Sequence, residues 1–359
     1  MGSTWSQPEK EPATVAQASA CVIFRNCKGQ LQCGESRRFG AGHIRGYVLD
    51  GKAEDDQRTK NVDGRRCVVN NAGTMKITNS GKNASSGKVL NGRLAVLGAG
   101  KIGGILLRAF LEQKLVQPKR VHATLRHAEK ARALAKQLGI EASTDNRAAV
   151  RDADIVLLAV KPQAVREVLE EIKPEMKPDK LIVSVVASVP TQMMEKYLGL
   201  DAPVIRAMPN TPCAIGCGMT GLAKGIHAGK EHLEIAQAMF EAVGRVVVVD
   251  EKQIDAVTGL SASGTAFIYI ILESLAEGGV KVGLPRDIST LLAAQTMMGA
   301  ARMVLDTGDH PALLKDAVTT PAGSTMDGIL ELEDGKVRVT LIKAVMKATQ
   351  RAKELILES

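Results

Sequence analysis

One turn constrains this chain more than any other feature. A short apolar run, Leu94-Ala95-Val96-Leu97, passes into Gly98-Ala99-Gly100-Lys101-Ile102-Gly103, and a helical pattern follows at once to Lys114. A strand, a tight glycine turn and a helix in that order read as a dinucleotide-binding βαβ start; the alternative is a purely structural turn. Each glycine has a separate task. Gly98 allows the tight turn, Gly100 has no side chain to obstruct a pyrophosphate, and Gly103 lets the helix pack close to the strand. The helix start adds unpaired N–H groups and the positive end of a dipole. Gly98, Ala99, Gly100, Lys101, Ile102 and Gly103 are therefore expected to cradle phosphates.

The chain around that turn alternates strand and helix. Arg120–Leu125 reads as a second strand, then a helix near Glu129–Leu138 ends at Gly139, a residue suited to a helix C-cap. A short strand near Ile140–Ala142 precedes the continuous aliphatic run 153–160, the signature of a buried parallel strand. Leu181–Val186, Val204–Met208, Gly218–Ala223 and Arg245–Val249 complete the set, with helices beginning near Gln163, Thr191 and Lys230. This alternation predicts a doubly wound α/β domain with a parallel sheet over residues 93–250.

Ligands of such sheets bind at the carboxyl ends of the strands. No carboxylate stands at the end of the second strand, where one would take ribose hydroxyls; Arg126 arrives there instead. A guanidinium can grip a 2′-phosphate through two hydrogen bonds, so NADP(H) is expected as the preferred cofactor, with NAD(H) as the alternative. Val160, Lys161 and Pro162 end another strand and should lie beside the cofactor, Lys161 reaching cofactor, substrate or only solvent. Pro209-Asn210-Thr211-Pro212 forms a stiff loop at a strand end, suited to wall a nicotinamide ring.

Residues 1–92 differ in kind. They are rich in Gly, Asn, Ser, Arg and Lys, show no sustained period, and hold most of the formal net charge of +8. A disordered extension is expected there. Its acidic residues fit an organellar presequence poorly, and it has no apolar core of a secretory signal. The remainder is nearly neutral, and with aromatics at 3% it offers neither a basic surface nor a stacking platform, so no nucleic-acid partner is expected. No run of 18 apolar residues exists, and no membrane partner is expected either. Only Cys213 and Cys217 fall in the part that reads as folded, which points to a reducing compartment and the cytoplasm. The histidines are scattered without ligand spacing, so no metal site is expected.

From Glu251 the period changes to that of long helices, interrupted at Gly283-Leu284-Pro285, with a last helix over Val337–Leu357. Helices apolar on more than one face and rich in Ala, Gly and Met suggest an oligomer interface, so residues 251–359 are expected to form an all-helical domain. The connection Val318-Thr319-Thr320-Pro321-Ala322-Gly323-Ser324-Thr325 leads into a helix. Its hydroxyls and free N–H groups could seat a small carboxylate, or Ser324 or Thr325 could simply cap the helix.

GAGKIG, AVKP, MPNTP, DAVTGLSASGTAF, GGVKVGLP and KDAVTTPAGST occur here in order and at consistent spacing. Together they resemble pyrroline-5-carboxylate reductase over about Arg93–Leu355. The resemblance implies a Rossmann-type domain followed by an α-helical dimerisation domain, and reduction of 1-pyrroline-5-carboxylate to L-proline with NAD(P)H. It implies a homodimer, often assembled into a ring of dimers. It also implies that Gly98, Gly100 and Gly103 hold the pyrophosphate, Arg126 the adenosine end, and Val160, Lys161, Pro162 and Asn210 the nicotinamide side. Val318, Thr320, Gly323, Ser324 and Thr325 would bind the substrate, with Thr325, alongside Lys161, the candidate catalytic group. Departures occur at Ala262, Ala322 and Phe267, where the family commonly has Gly, Gly and Tyr.

A cyclic imine accepts hydride readily once protonated, so such a site need only orient it and stabilise its nitrogen. The Thr325 hydroxyl has too high a pKa to be the acid itself, which leaves the proton to solvent or a relay. Two other readings stay open. One is a β-hydroxyacid dehydrogenase, although position 285, four residues after Lys281, is proline rather than asparagine. The other is a non-catalytic NADP-binding regulator.

Overall fold

The chain is described by a computed structural model covering residue 90, residues 92–199 and 201–357, and five short strands earlier in the chain. Those five belong to an N-terminal unit, Met1–Ala84. Val22–Arg25 pairs antiparallel with Leu31–Gly34, and Arg65–Val69 lies between Asn61–Val62 and Met75–Thr78. The expected disordered extension otherwise falls outside the described residues.

The second unit, Ser85–Ser359, is built on an eight-stranded sheet. Its strands are β1 (Leu94–Leu97), β2 (Val121–Thr124), β3 (Glu141–Ser143), β4 (Ile155–Leu158), β5 (Leu181–Ser184), β6 (Val204–Met208), β7 (Gly218–Lys224) and β8 (Gly244–Val248). They lie in the order β8-β7-β6-β5-β4-β1-β2-β3. The six strands from β3 to β6 are parallel, and their order reverses between β1 and β4, the switch point of a doubly wound sheet. The sheet is the expected doubly wound parallel one, with one strand reversed: β7 runs antiparallel to β6. The segment 209–217 joining them is too short for a crossover, which takes a dozen or more residues, so the chain must turn back. β8 then pairs parallel to β7 through helix α6 (Lys230–Glu241).

Every residue of β1, β4, β5 and β6 is buried, as helices on both faces require. One face packs against α1 (Lys101–Glu112) and α6, where Phe110 and Phe240 meet edge to face with ring centroids 6.1 Å apart. The other packs against α3 (Asn146–Arg151), α4 (Val165–Ile172) and α5 (Thr191–Leu198). α2 (Ala128–Leu138) follows β2. Buried Lys180 spans α3 and β4, its ammonium donating to the carbonyls of Val150, Arg151 and Ala153 at 2.7–2.9 Å. Burial draws its pKa below the usual lysine range.

Beyond the sheet the chain is helical: α7 (Ile254–Val257), a π-helical turn at Thr258–Ala262, α8 (Gly264–Lys281), α9 (Arg286–Thr307), α10 (Pro311–Ala317), α11 (Ser324–Asp334) and α12 (Val337–Leu357). A buried ion cluster joins the two parts. The Arg206 guanidinium, on β6, lies 3.1 Å from Asp255 and 3.7 Å from Glu251, whose carboxylate accepts from the Thr191 amide and hydroxyl at 2.7 Å each.

Residues 251–281 and 286–307 are long and apolar enough, by length and composition, to cross a membrane, which the lack of an unbroken 18-residue apolar run had not suggested. Their large side chains are widely exposed: Ile270 is 62% and Leu291 68% accessible.

Candidate active site

The glycine turn takes the shape its sequence requires. Gly98 has φ +85°, a left-handed conformation that a side chain rarely adopts, and a Cβ there would meet Val160 Cγ1 at 2.9 Å. A Cβ on Gly103 would lie 2.5 Å from the Gly98 carbonyl oxygen and 2.9 Å from Ala159 Cβ, so α1 can start this close to β1 and β4 only with glycine there. Above Gly100 the space is open. Gly100 caps α1 without a side-chain hydrogen bond, which leaves the first N–H groups of the helix facing that space.

A cavity of about 620 Å³ opens at the switch point. Of the residues named from sequence, Gly98, Ala99, Gly100, Arg126, Val160 and Lys161 line it. Lys101 and Ile102 stand in the first turn of α1, and Pro162 begins a 3-10 turn to Ala164; none of these three, nor Gly103, is among its lining residues. Arg126 is joined at the far end by His127 and Lys130. These residues fit a dinucleotide: the wall holds an open glycine cradle and basic groups.

The wall also contains residues that the sequence did not announce. The Thr124 hydroxyl donates to Asn146 Oδ1 at 2.7 Å, and Asn146 Nδ2 donates to Glu171 at 2.8 Å. The Thr124 carbonyl accepts from Gly98 and Ala99 at 3.2 and 2.8 Å, tying this relay to the glycine turn. Three elements contribute, so no local pattern could have signalled it; only the position of Thr124 at the end of β2 was available.

Asn210 lies apart from the cavity lining. Its Oδ1 accepts from the Met219 amide at 2.9 Å and its Nδ2 donates to Ser261 Oγ at 3.2 Å. It therefore ties the start of β7 to the π-helical turn. Its loop, expected to be stiff, winds into a 3-10 helix over Thr211–Ile215. Cys213 is a free, buried thiol with its pKa raised by burial. Among the described residues no group of three His, Cys, Asp or Glu side chains could hold a metal.

Val318, Thr320, Ser324 and Thr325 are exposed at the junction of α10 and α11, and Gly323 is half-buried; none of the five lines the cofactor cavity. The local geometry decides one question left by the sequence. Ser324 is the first residue of α11, and the cap is Gly323, which has no side chain to bond the helix start. Plain capping by Ser324 or Thr325 is absent; the Met326 amide donates to the Gly323 carbonyl at 3.1 Å, and the Ser324 and Thr325 N–H groups stay available to an anion.

Comparison with known proteins places these features in context. Residues 251–355 match the family model for pyrroline-5-carboxylate reductase dimerisation, and residues 93–188 match that for coenzyme F420-dependent NADP oxidoreductases. The pyrroline-5-carboxylate reductase of Methanosarcina acetivorans is 42% identical over 265 residues, 74% of this chain and 98% of the relative. That of Arabidopsis thaliana is 39% identical, over 73% and 95%. Among solved structures, the Coxiella burnetii reductase aligns with a TM-score of 0.68 at 36% identity, over 74% of this chain and 98% of that one. The NADP-bound Plasmodium falciparum enzyme aligns at 0.69 and 27%, over 75% and 99%.

Proposed function

The chain belongs to the pyrroline-5-carboxylate reductase family, and from that premise we propose which of its residues carry out the reaction. It is an NAD(P)H-dependent oxidoreductase that reduces the C=N bond of 1-pyrroline-5-carboxylate to give L-proline. Residues 93–250 serve as the cofactor-binding domain and 251–359 as the dimerisation and substrate-binding domain. NADP(H) is the preferred cofactor, supported by Arg126, His127 and Lys130 at the end of the cavity where the 2′-phosphate would lie. Gly98 through Gly103 hold the pyrophosphate, and Val160, Lys161 and Pro162 flank the nicotinamide, with Asn210 holding the helical part beside it. The enzyme works as a homodimer, further assembled into a ring of dimers, and resides in the cytoplasm.

The substrate carboxylate sits at the uncapped start of α11, among Val318, Thr320, Gly323, Ser324 and Thr325. When bound, the cofactor supplies a hydride for the imine carbon. The Thr325 hydroxyl hydrogen-bonds the ring nitrogen as it changes from imine to amine, and the proton comes from solvent. The protein contributes mainly orientation and a fixed electrostatic surrounding. The observation that carries this assignment is the glycine-capped, side-chain-free start of α11.

The test is NADPH oxidation, followed by absorbance, with pyrroline-5-carboxylate and the full chain. Thr325→Ala is expected to lower kcat by roughly a hundredfold, the size of a lost donor to a developing charge, with NADPH affinity unchanged. A Thr325→Ala variant as fast as the wild type would remove Thr325 from the mechanism.

A further inference from the structure

A sheet that binds NAD presents a carboxylate to the ribose hydroxyls at the end of its second strand, and the sequence after β2 has none. The fold brings one there from another element. Thr124, the last residue of β2, is buried, and its hydroxyl donates to Asn146 Oδ1 at 2.7 Å. Asn146 begins α3, and its Nδ2 donates at 2.8 Å to Glu171, in the last turn of α4. All three line the cavity that also holds Arg126.

The bonds in this series have one direction. A carboxylate only accepts, so the Asn146 nitrogen faces Glu171. The amide oxygen then faces Thr124, whose hydroxyl must donate to it and accepts from the Gly98 amide at 3.4 Å. The second N–H of an amide serves a ribose oxygen whether or not that oxygen carries a phosphate. The Glu171 charge does distinguish the two. It leaves a neutral hydroxyl alone and opposes a 2′-phosphate. Glu167, one turn earlier on α4, lines the same cavity and acts in the same sense. Arg126 and Lys130 thus share their cavity with two carboxylates.

We propose that Glu171 is a specificity-determining residue of the cofactor cavity: linked to the end of β2 through Asn146, its carboxylate lowers the affinity for NADPH relative to NADH. This rests on the assignment of Arg126 to the 2′-phosphate. A like charge about 10 Å from a phosphate, at an effective dielectric between about 20 and 80, weakens binding by roughly two- to fifteenfold. Salt screening trims the upper end of that range.

The experiment titrates the full chain with NADPH and with NADH by fluorescence, without substrate, in the wild type and in Glu171→Gln, Glu171→Asp and Arg126→Ala. Gln keeps an oxygen that accepts from Asn146 and loses only the charge. It is expected to tighten NADPH by about two- to tenfold and to leave NADH within about twofold. Asp retains the charge and is expected to restore the wild-type ratio of the two dissociation constants. Local damage to the fold would weaken both cofactors together, so the ratio separates specificity from structure. A ratio that moves less than about twofold in the Gln variant, or as far in Asp as in Gln, overturns this proposal alone, provided that Arg126→Ala weakens NADPH selectively. Equal weakening of both cofactors by Arg126→Ala overturns the placement of the 2′-phosphate and this proposal with it.

Discussion

The two parts of the folded unit bury their apolar residues differently. Around the sheet, the strands and the inner faces of α1, α3, α4, α5 and α6 are covered within one chain, and the cavity at the switch point is lined by residues of that part. In α8 to α12 few residues are buried, while Ile270, Leu291, Leu330 and Met346 are each more than half exposed. Apolar area on that scale marks an interface. The match to a dimerisation model over 251–355 accounts for it. On the assignment proposed above, the first part holds the cofactor, and the second, which pairs with another copy, holds the substrate.

The junction between these parts offers the strongest way to break the comparison. Arg206→Ala leaves Asp255 buried without its partner and releases Glu251. Removing one member of a buried pair costs about 3–5 kcal/mol. Denaturant unfolding of the variant is expected to show that loss; a loss below about 1 kcal/mol would mean that the two parts hold together without the cluster.

A smaller effect tests the sheet side alone. Arg126→Ala is expected to weaken NADPH by about 1.5–3 kcal/mol, the range for hydrogen bonds to a charged group, and to leave NADH unchanged. Equal weakening of both cofactors, read by fluorescence titration, would place Arg126 away from the 2′-phosphate.

The smallest concerns the outer surface of the sheet domain. Hydrogen bonds from Arg147 and Arg151 hold the Glu175 carboxyl below its ordinary value of 4.5. A depressed folded pKa stabilises above the unfolded value and is lost as pH falls through the folded one. Glu175→Gln should therefore flatten the acid limb of the melting-temperature profile slightly and leave the neutral region alone. A change of slope near pH 7 would contradict this.

The centre of the sheet was readable because β1, β4 and most of β5 are continuous aliphatic runs, and the glycine turn because each glycine answers a separate steric demand. α3 was not: six residues beginning Asn146-Arg147 give no full apolar period, and its cap, Asp145, lies among turn-forming neighbours. The reversal at β7 depends on the length of a connection rather than on any residue in the strand. The relay from Thr124 through Asn146 to Glu171 joins positions far apart in sequence. The substrate seat came from a motif, not from periodicity. That its helix start lacks a side-chain cap required the backbone itself.

The division between a self-sufficient cofactor half and a dependent helical half is tested most directly by charging the exposed face of α9. Leu291→Asp changes a side chain that is 68% accessible in the single chain, so folding should survive. The account predicts a monomer by sedimentation that binds NADPH as tightly as the wild type and does not turn over pyrroline-5-carboxylate. A monomer with wild-type turnover would contradict it.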